Sequence, residues 1–259
     1  MAANRTDPAA GWAPLGAALL AYHRGERDAE VIVASDVWED EPTPAAAFYR
    51  PDDAPLPELD RTALAHCRGR VLDLGAGAGR HALELQRAGH QVVAVDLLPE
   101  AVEIMRDRGV ADARRGGLDA VHGEVFDTVL MLMHGLGVTG TLRGLGELLE
   151  ALPPVLAAGG RLVCDSADLA AVLEDESPEL RRELAGADRY LGEVEFGLRF
   201  GVLEGPPYPW LFVDPEGLSI IGEAAGYDVT IAAQGSRGAF LAVLTLPQTD
   251  HLQDLEEQS

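Results

Sequence analysis

The chain has 259 residues, a hydrophobic fraction of 47% and a formal net charge of −23. That length and apolar content describe one domain, or one domain with an extension, carrying a full core. So acidic a surface repels nucleic acid, whose binding needs its phosphates neutralised, although molar salt would screen the repulsion within ~3 Å. All 20 basic residues are arginine. A GC-rich genome explains the missing lysine but not the acidic excess, which adaptation to high salt explains. Cys67 and Cys164 make neither a metal pattern nor a disulfide framework, so a reduced cytoplasm is the simplest compartment. Ala9–Tyr22 is apolar but broken by Pro14 and lacks a cleavage site, which argues against a signal peptide. No uncharged run reaches the ~18 residues that span a bilayer.

In chain order, residues 1–56 read as an N-terminal cap, with a short helix at Pro14–Tyr22 and a strand at Ala29–Ala34. Glu39–Pro57 is acidic and proline-rich, interrupted by Ala45–Arg50. A helix at Pro57–Cys67 leads into the main domain, 57–246. Strand 70–74 precedes helix 79–88, and strand 91–95 precedes helix 99–108, with Gly89 and Gly109 as stops. A weak strand lies near 111–115. Strand 126–132 precedes helix 141–157, capped by Thr141, and strand 161–165 follows. Such alternation implies a parallel sheet covered on both faces. Ser177–Gly186 reads as helix. Val194, Phe196, Leu198, Phe200 and Val202 alternate with polar or small residues, as in a half-exposed strand inserted after strand five. A helix opens at Asp214-Pro215-Glu216, and strands 227–233 and 239–246 close the domain. Residues 247–259 read as an acidic, disordered tail.

Val71–Arg80 reads V-L-D-L-G-A-G-A-G-R. A buried strand carrying Asp73 turns through Gly75, Gly77 and Gly79 into a helix whose free N–H groups face the same crevice. The G-x-G-x-G spacing lacks the third glycine of a dinucleotide fingerprint, since Arg80 stands in its place. Asp96 ends the next strand, about 20 residues downstream, where a carboxylate can grip a ribose diol. With Phe126–Leu130 and Leu156–Val163, these segments resemble the class I S-adenosylmethionine-dependent methyltransferases over roughly 57–246. The resemblance implies a doubly wound, mostly parallel seven-stranded α/β sheet ending in an antiparallel C-terminal hairpin, with S-adenosylmethionine as cofactor. The glycine motif does not specify the substrate; a small-molecule methyl acceptor is expected, because the charge and the lack of a basic module disfavour nucleic acid.

On that resemblance the cofactor is expected to meet Asp73, Gly75, Ala76, Gly77, Gly79, Asp96, Leu97, Gly117, Leu118 and Met133. Asp73 is expected to bind the glycine-loop amides and the cofactor's ammonium. Leu97 is expected beside the adenine. Gly117 stands where the class has an acid for the adenine amino group, so backbone near Gly117 and Leu118, or Asp119 reaching back, must serve. His134, just past the fourth strand, is the candidate general base, because an imidazole titrates near neutrality; ordering of the glycine loop is the other reading. Phe48, Tyr49, Arg50 and Trp210 read as lid or substrate residues, or as ordinary cap packing. Asp165, with Ser166 and Asp168, either touches substrate or caps a helix. His81 reads as structural. A nicotinamide-dependent oxidoreductase and a non-catalytic cofactor-binding regulator are the rival functions.

Overall fold

The computed structural model describes residues 9–49, 55–186 and 189–247. Arg50 and the 248–259 part of the acidic tail lie outside the described residues. The strands are β1 (Glu30–Ser35), β2 (Glu41–Pro44), β3 (Arg70–Leu74), β4 (Gln91–Asp96), β5 (Ala113–Arg115), β6 (Phe126–Met131), β7 (Leu156–Ala167), β8 (Glu193–Phe200), β9 (Leu203–Glu204), β10 (Tyr208–Leu211), β11 (Asp228–Gln234) and β12 (Ala239–Thr245). The helices are α1 (Ala13–His23), α2 (Ala45–Tyr49), α3 (Glu58–His66), α4 (Arg80–Arg87), α5 (Pro99–Asp107), α6 (Leu142–Ala151), α7 (Leu169–Glu176), α8 (Pro178–Ala185) and α9 (Pro215–Ala224).

Seven strands form the main sheet in the order β11-β12-β7-β6-β3-β4-β5. β3, β4, β5, β6 and β7 run parallel, while β12 is antiparallel to β7 and β11 to β12. Alternate residues serve opposite faces, as strand geometry requires. Leu72, Val129, Met131 and Leu162 pack with Leu145 and Leu149 of α6 and Leu218 of α9. Val71, Leu130 and Val163 pack on the other face with α3, α4 and α5 through Ala63, Ala82, Leu85 and Met105. β4 and β5 follow one another to one side of β3, and β6 then returns to its other side. The carboxyl ends of β3 and β6 therefore flank the switch point where ligands settle in such sheets.

A second, antiparallel sheet was not anticipated. β1 of the cap pairs with the inserted β8, and β10 and β2 flank them in the order β10-β8-β1-β2. Cap and insertion are thus halves of one sheet. β2 (E-P-T-P) pairs only with β1, and an edge position tolerates its two prolines. Two expected boundaries move. The helix predicted over 141–157 stops at Ala151, because Pro153 and Pro154 break the ladder. Strand five is longer than 161–165, since Leu156 already pairs with Phe126. The inserted strand ends at Phe200, where Gly201 turns with φ of 57°. Among the described residues, no helix is long and apolar enough to cross a membrane.

Trp210 joins the two sheets. Its indole lies against Gly137 so closely that a Cβ there would overlap the ring. Trp12 and Phe196 surround it at centroid distances of 5.3 and 6.2 Å. The expected lid residue is therefore buried packing. Trp210→Ala should cost about 3–5 kcal/mol of stability by cavity formation, measurable as a shifted denaturation midpoint; an unshifted midpoint would show that the second sheet is not coupled to the first through this ring.

Candidate active site

The glycine loop leaves β3 with Gly75 and Gly77 at φ of 81° and 55°. A Cβ at either would point into open space, so the backbone there forms a bare cradle. Gly79 differs: a Cβ would stand 2.8 Å from Val110 Cγ2 and 3.0 Å from Met105 Cγ. Its missing side chain serves close packing of the helix, as the third glycine of a dinucleotide fingerprint does.

Asp96 binds the loop from the neighbouring strand. Its Oδ2 accepts the Gly77 N–H at 2.8 Å and its Oδ1 the Leu98 N–H at 2.9 Å. Each oxygen retains a further lone pair for a ligand hydroxyl. Burial raises its pKa above the usual carboxylate range, and these N–H groups oppose the shift. Leu97 stands beside it, 39% exposed, as an apolar platform. The Gly116 N–H donates to the Asp96 carbonyl at 2.9 Å, which brings the 116–119 turn to the same place. Asp119 Oδ1 accepts the Gly117 N–H of this turn at 2.9 Å. Leu118 is half-buried against the core next to it.

Asp73 is 2% exposed. Contrary to the expectation, it does not bind the amides of the glycine loop: the N–H groups of Gly75 and Ala76 both donate to the Val95 carbonyl at 3.0 Å. The carboxylate instead takes the Ala82 N–H of α4, and among the described residues its Oδ2 has no hydrogen-bond partner. Burial lifts its pKa from 3.8 to about 6, against the opposing pull of His81 and that N–H. A buried carboxylate oxygen without a donor is costly, and a ligand cation would relieve it.

Beyond β6, Met133 and His134 take left-handed conformations, with φ of 63° and 57°. Each costs about 1–2 kcal/mol for a residue with a side chain. The His134 N–H donates to Asp165 Oδ1 at 2.7 Å. Its ring meets Phe212 edge-on at 5.6 Å, and its Nδ1 is unpartnered. Arg80, read only as a missing glycine, reaches across this space. It pairs with Asp60 Oδ2 at 3.0 Å, and its Nη1 stands 4.0 Å from Met133 Sδ. His81 Nε2 meets the same Asp60 oxygen at 3.0 Å, a structural role as expected. Asp60, Arg80 and Phe212 were missed. Their only sequence signals are one of two acids in the first turn of α3, an arginine after the glycines and an aromatic after β10.

The proposed substrate residues are not gathered at one place. Tyr49 hydrogen-bonds His23 Nδ1 at 2.6 Å and lies under the Arg108 guanidinium at 4.2 Å, beside the end of α5. Phe48 packs with Leu19, Ala78 and Ile104. Asp168 caps α7 by accepting the Ala171 N–H at 2.9 Å, and Ser166 is buried.

Residues 71–160 match the family described as "Methyltransferase domain". A methyltransferase structure from Bacteroides fragilis, described as S-adenosylmethionine-dependent and complexed with S-adenosyl-L-homocysteine, is 33% identical. It aligns over 92% of this chain and 96% of its own, with a TM-score of 0.80.

The chain belongs to the S-adenosylmethionine-dependent methyltransferases.

The methyltransferase CcbJ of Streptomyces caelestis shares the fold at 15% identity and a TM-score of 0.57, over 78% of this chain and 96% of its own. Among curated relatives, the ubiquinone biosynthesis O-methyltransferase of Xanthomonas euvesicatoria is 32% identical over 140 residues, 50% of this chain and 58% of that protein. The release factor glutamine methyltransferase of Vibrio cholerae is 37% identical over 94 residues, 34% of this chain and 33% of that protein. This methyltransferase thus aligns with less than two thirds of those curated relatives. The cofactor fits its crevice: open space above two glycines, a two-oxygen acceptor at Asp96 and an unmatched carboxylate oxygen at Asp73.

Proposed function

We propose that this methyltransferase transfers a methyl group from S-adenosylmethionine to a small-molecule acceptor at the carboxyl ends of β3 and β6. The observation that carries the reading is the bare Gly75–Gly77 turn tied by its own amide to Asp96. When bound, S-adenosylmethionine supplies a methyl group already activated by a positive sulfur. Asp96 receives the ribose hydroxyls, Leu97 covers one face of the adenine, and the 117–119 turn borders its edge. Asp73 Oδ2 receives the ammonium. Alignment of the reacting atoms supplies most of the rate, roughly 7–11 kcal/mol of barrier in well-oriented systems. Phe212 narrows the space around His134 and excludes water. His134 accepts the proton of an acceptor that arrives protonated. Arg80 is held by Asp60 across the same space.

A small acceptor is supported by the roof that the second sheet builds over the end of β6 and by the acidic surface. The printed names of the Xanthomonas relative and of a magnesium-protoporphyrin O-methyltransferase from Rhodobacter capsulatus, 39% identical over 61 residues, agree with it. Both cysteines are buried free thiols, which supports a reducing, cytoplasmic setting; the lysine-free acidic composition supports a salt-rich one. The test is calorimetry: micromolar binding of S-adenosylmethionine and S-adenosylhomocysteine is expected, with no thermal shift on adding NAD. Binding of NAD alone would instead favour an oxidoreductase.

Proton linkage gives a second test. Between pH 3.8 and about 6 the folded chain keeps a proton on Asp73 that the unfolded chain has released. Stability from this group is therefore present at low pH and lost as pH rises through about 6. An incoming ammonium favours the ionised form and expels the proton. Affinity for S-adenosylhomocysteine should rise between pH 5 and 6.5, at most about tenfold per pH unit. Methylthioadenosine, which lacks the ammonium, should show no such slope, and neither should Asp73→Asn. Equal slopes for both ligands would remove Asp73 from the site.

A further inference from the structure

β6 and β7 pair as far as Met131 and Cys164, and β6 then ends. β7 continues, held on its other side by β12, with Asp165 opposite Leu241. The chain leaving β6 therefore turns beside an unpaired stretch of β7. In that turn two successive residues with side chains adopt positive φ, 63° at Met133 and 57° at His134. Such conformations persist only where the surroundings impose them. Asp165 Oδ1 accepts the N–H of His134 at 2.7 Å and that of Gly135 at 3.4 Å. One carboxylate oxygen thus faces two consecutive amides of the turn, a charge-assisted arrangement stronger than a neutral one. On the far side the imidazole rests against Phe212.

We propose that Asp165 is a positioning residue: its carboxylate holds the strained Met133–His134 turn, and the turn fixes the imidazole and Met133 at the mouth of the crevice. This differs from both roles expected for Asp165, substrate contact and helix capping. It rests on the proposed placement of His134 at the reacting centre, but the test separates the two. In the ligand-free protein with labelled histidine, the His134 imidazole resonances are assigned by their loss in His134→Ala. Asp165→Ala should move them to the position of a freely exposed histidine and weaken S-adenosylhomocysteine binding about tenfold. Asp165→Asn keeps an oxygen acceptor and should restore both readouts. Met133→Gly, combined with Asp165→Ala, removes part of the conformational demand and should recover part of the imidazole signal. A residue that merely stabilised the fold would not respond to either rescue. Unmoved His134 signals in Asp165→Ala would overturn the proposal. So would Asp165→Asn signals at the exposed position, and that result decides the matter even where the alanine variant fails to fold. Should wild-type protein bind no S-adenosylhomocysteine, the cofactor reading fails while the imidazole signals still decide the role of Asp165.

Discussion

Replacing Gly77 with valine is expected to weaken S-adenosylhomocysteine binding by more than about a hundredfold while leaving the chain folded. Gly77 has φ of 55°, and its missing Cβ faces open space. A branched side chain would occupy the cradle itself, so the loss comes from excluded volume rather than from a lost hydrogen bond. The fold bears only the left-handed strain, about 1–2 kcal/mol, against a domain stability of about 5–15 kcal/mol. Gly79→Val is the control with the opposite signature. Its side chain would strike Val110 and Met105, so it should lower the melting temperature more than Gly77→Val does. Calorimetric titration beside a thermal melt separates the two. A Gly77→Val protein that bound the nucleoside like wild type would show that the cradle is not where the ligand lies.

Asp96→Ala should also cost about a hundredfold in affinity. Hydrogen bonds to a charged group contribute about 1.5–3 kcal/mol each, and a ribose diol offers two. The full sum overstates the effect, because water partly replaces the carboxylate. Removal also frees the Gly77 and Leu98 amides, loosening both the loop and the start of α5. Asp96→Asn keeps one acceptor oxygen and should fall between wild type and alanine. His134→Ala, by contrast, should leave affinity within about threefold, since its unpartnered Nδ1 is assigned to the acceptor side. The reverse order of Asp96→Ala and His134→Ala would invert the roles of the two residues.

The half of the site proposed to hold the nucleoside was legible because it is local. Val71–Gly79 encodes its own turn, and Asp96 ends the next strand of the same parallel pair. One strand spacing thus carries the carboxylate to the loop. Helix caps at Thr141 and Asp214 were legible for the same reason: each side chain bonds N–H groups two or three residues on. The acceptor half was not. Phe212 meets His134 because β10 pairs with β8, which itself pairs with a strand from the N-terminal cap, and no periodicity within one segment reports such a pairing. Arg80 looked like a broken fingerprint until Asp60, twenty residues earlier, was seen beside it. Tyr49 and Trp210 were open between a lid and ordinary cap packing, and their surroundings favour the second: Trp210 is buried against Gly137, and Tyr49 bonds His23 beneath the Arg108 guanidinium. Asp165 was placed correctly at the rim of the sheet, yet its partners are backbone amides, which leave no mark on the sequence.

The most direct test of the whole account is a crystal structure of the protein soaked with S-adenosylhomocysteine. The account predicts the ribose hydroxyls on Asp96, the amino group nearest Asp73 and the sulfur facing the turn of Met133 and His134. Nucleoside density anywhere else, or side chains closing the space above Gly75 and Gly77 in the liganded crystal, would contradict it.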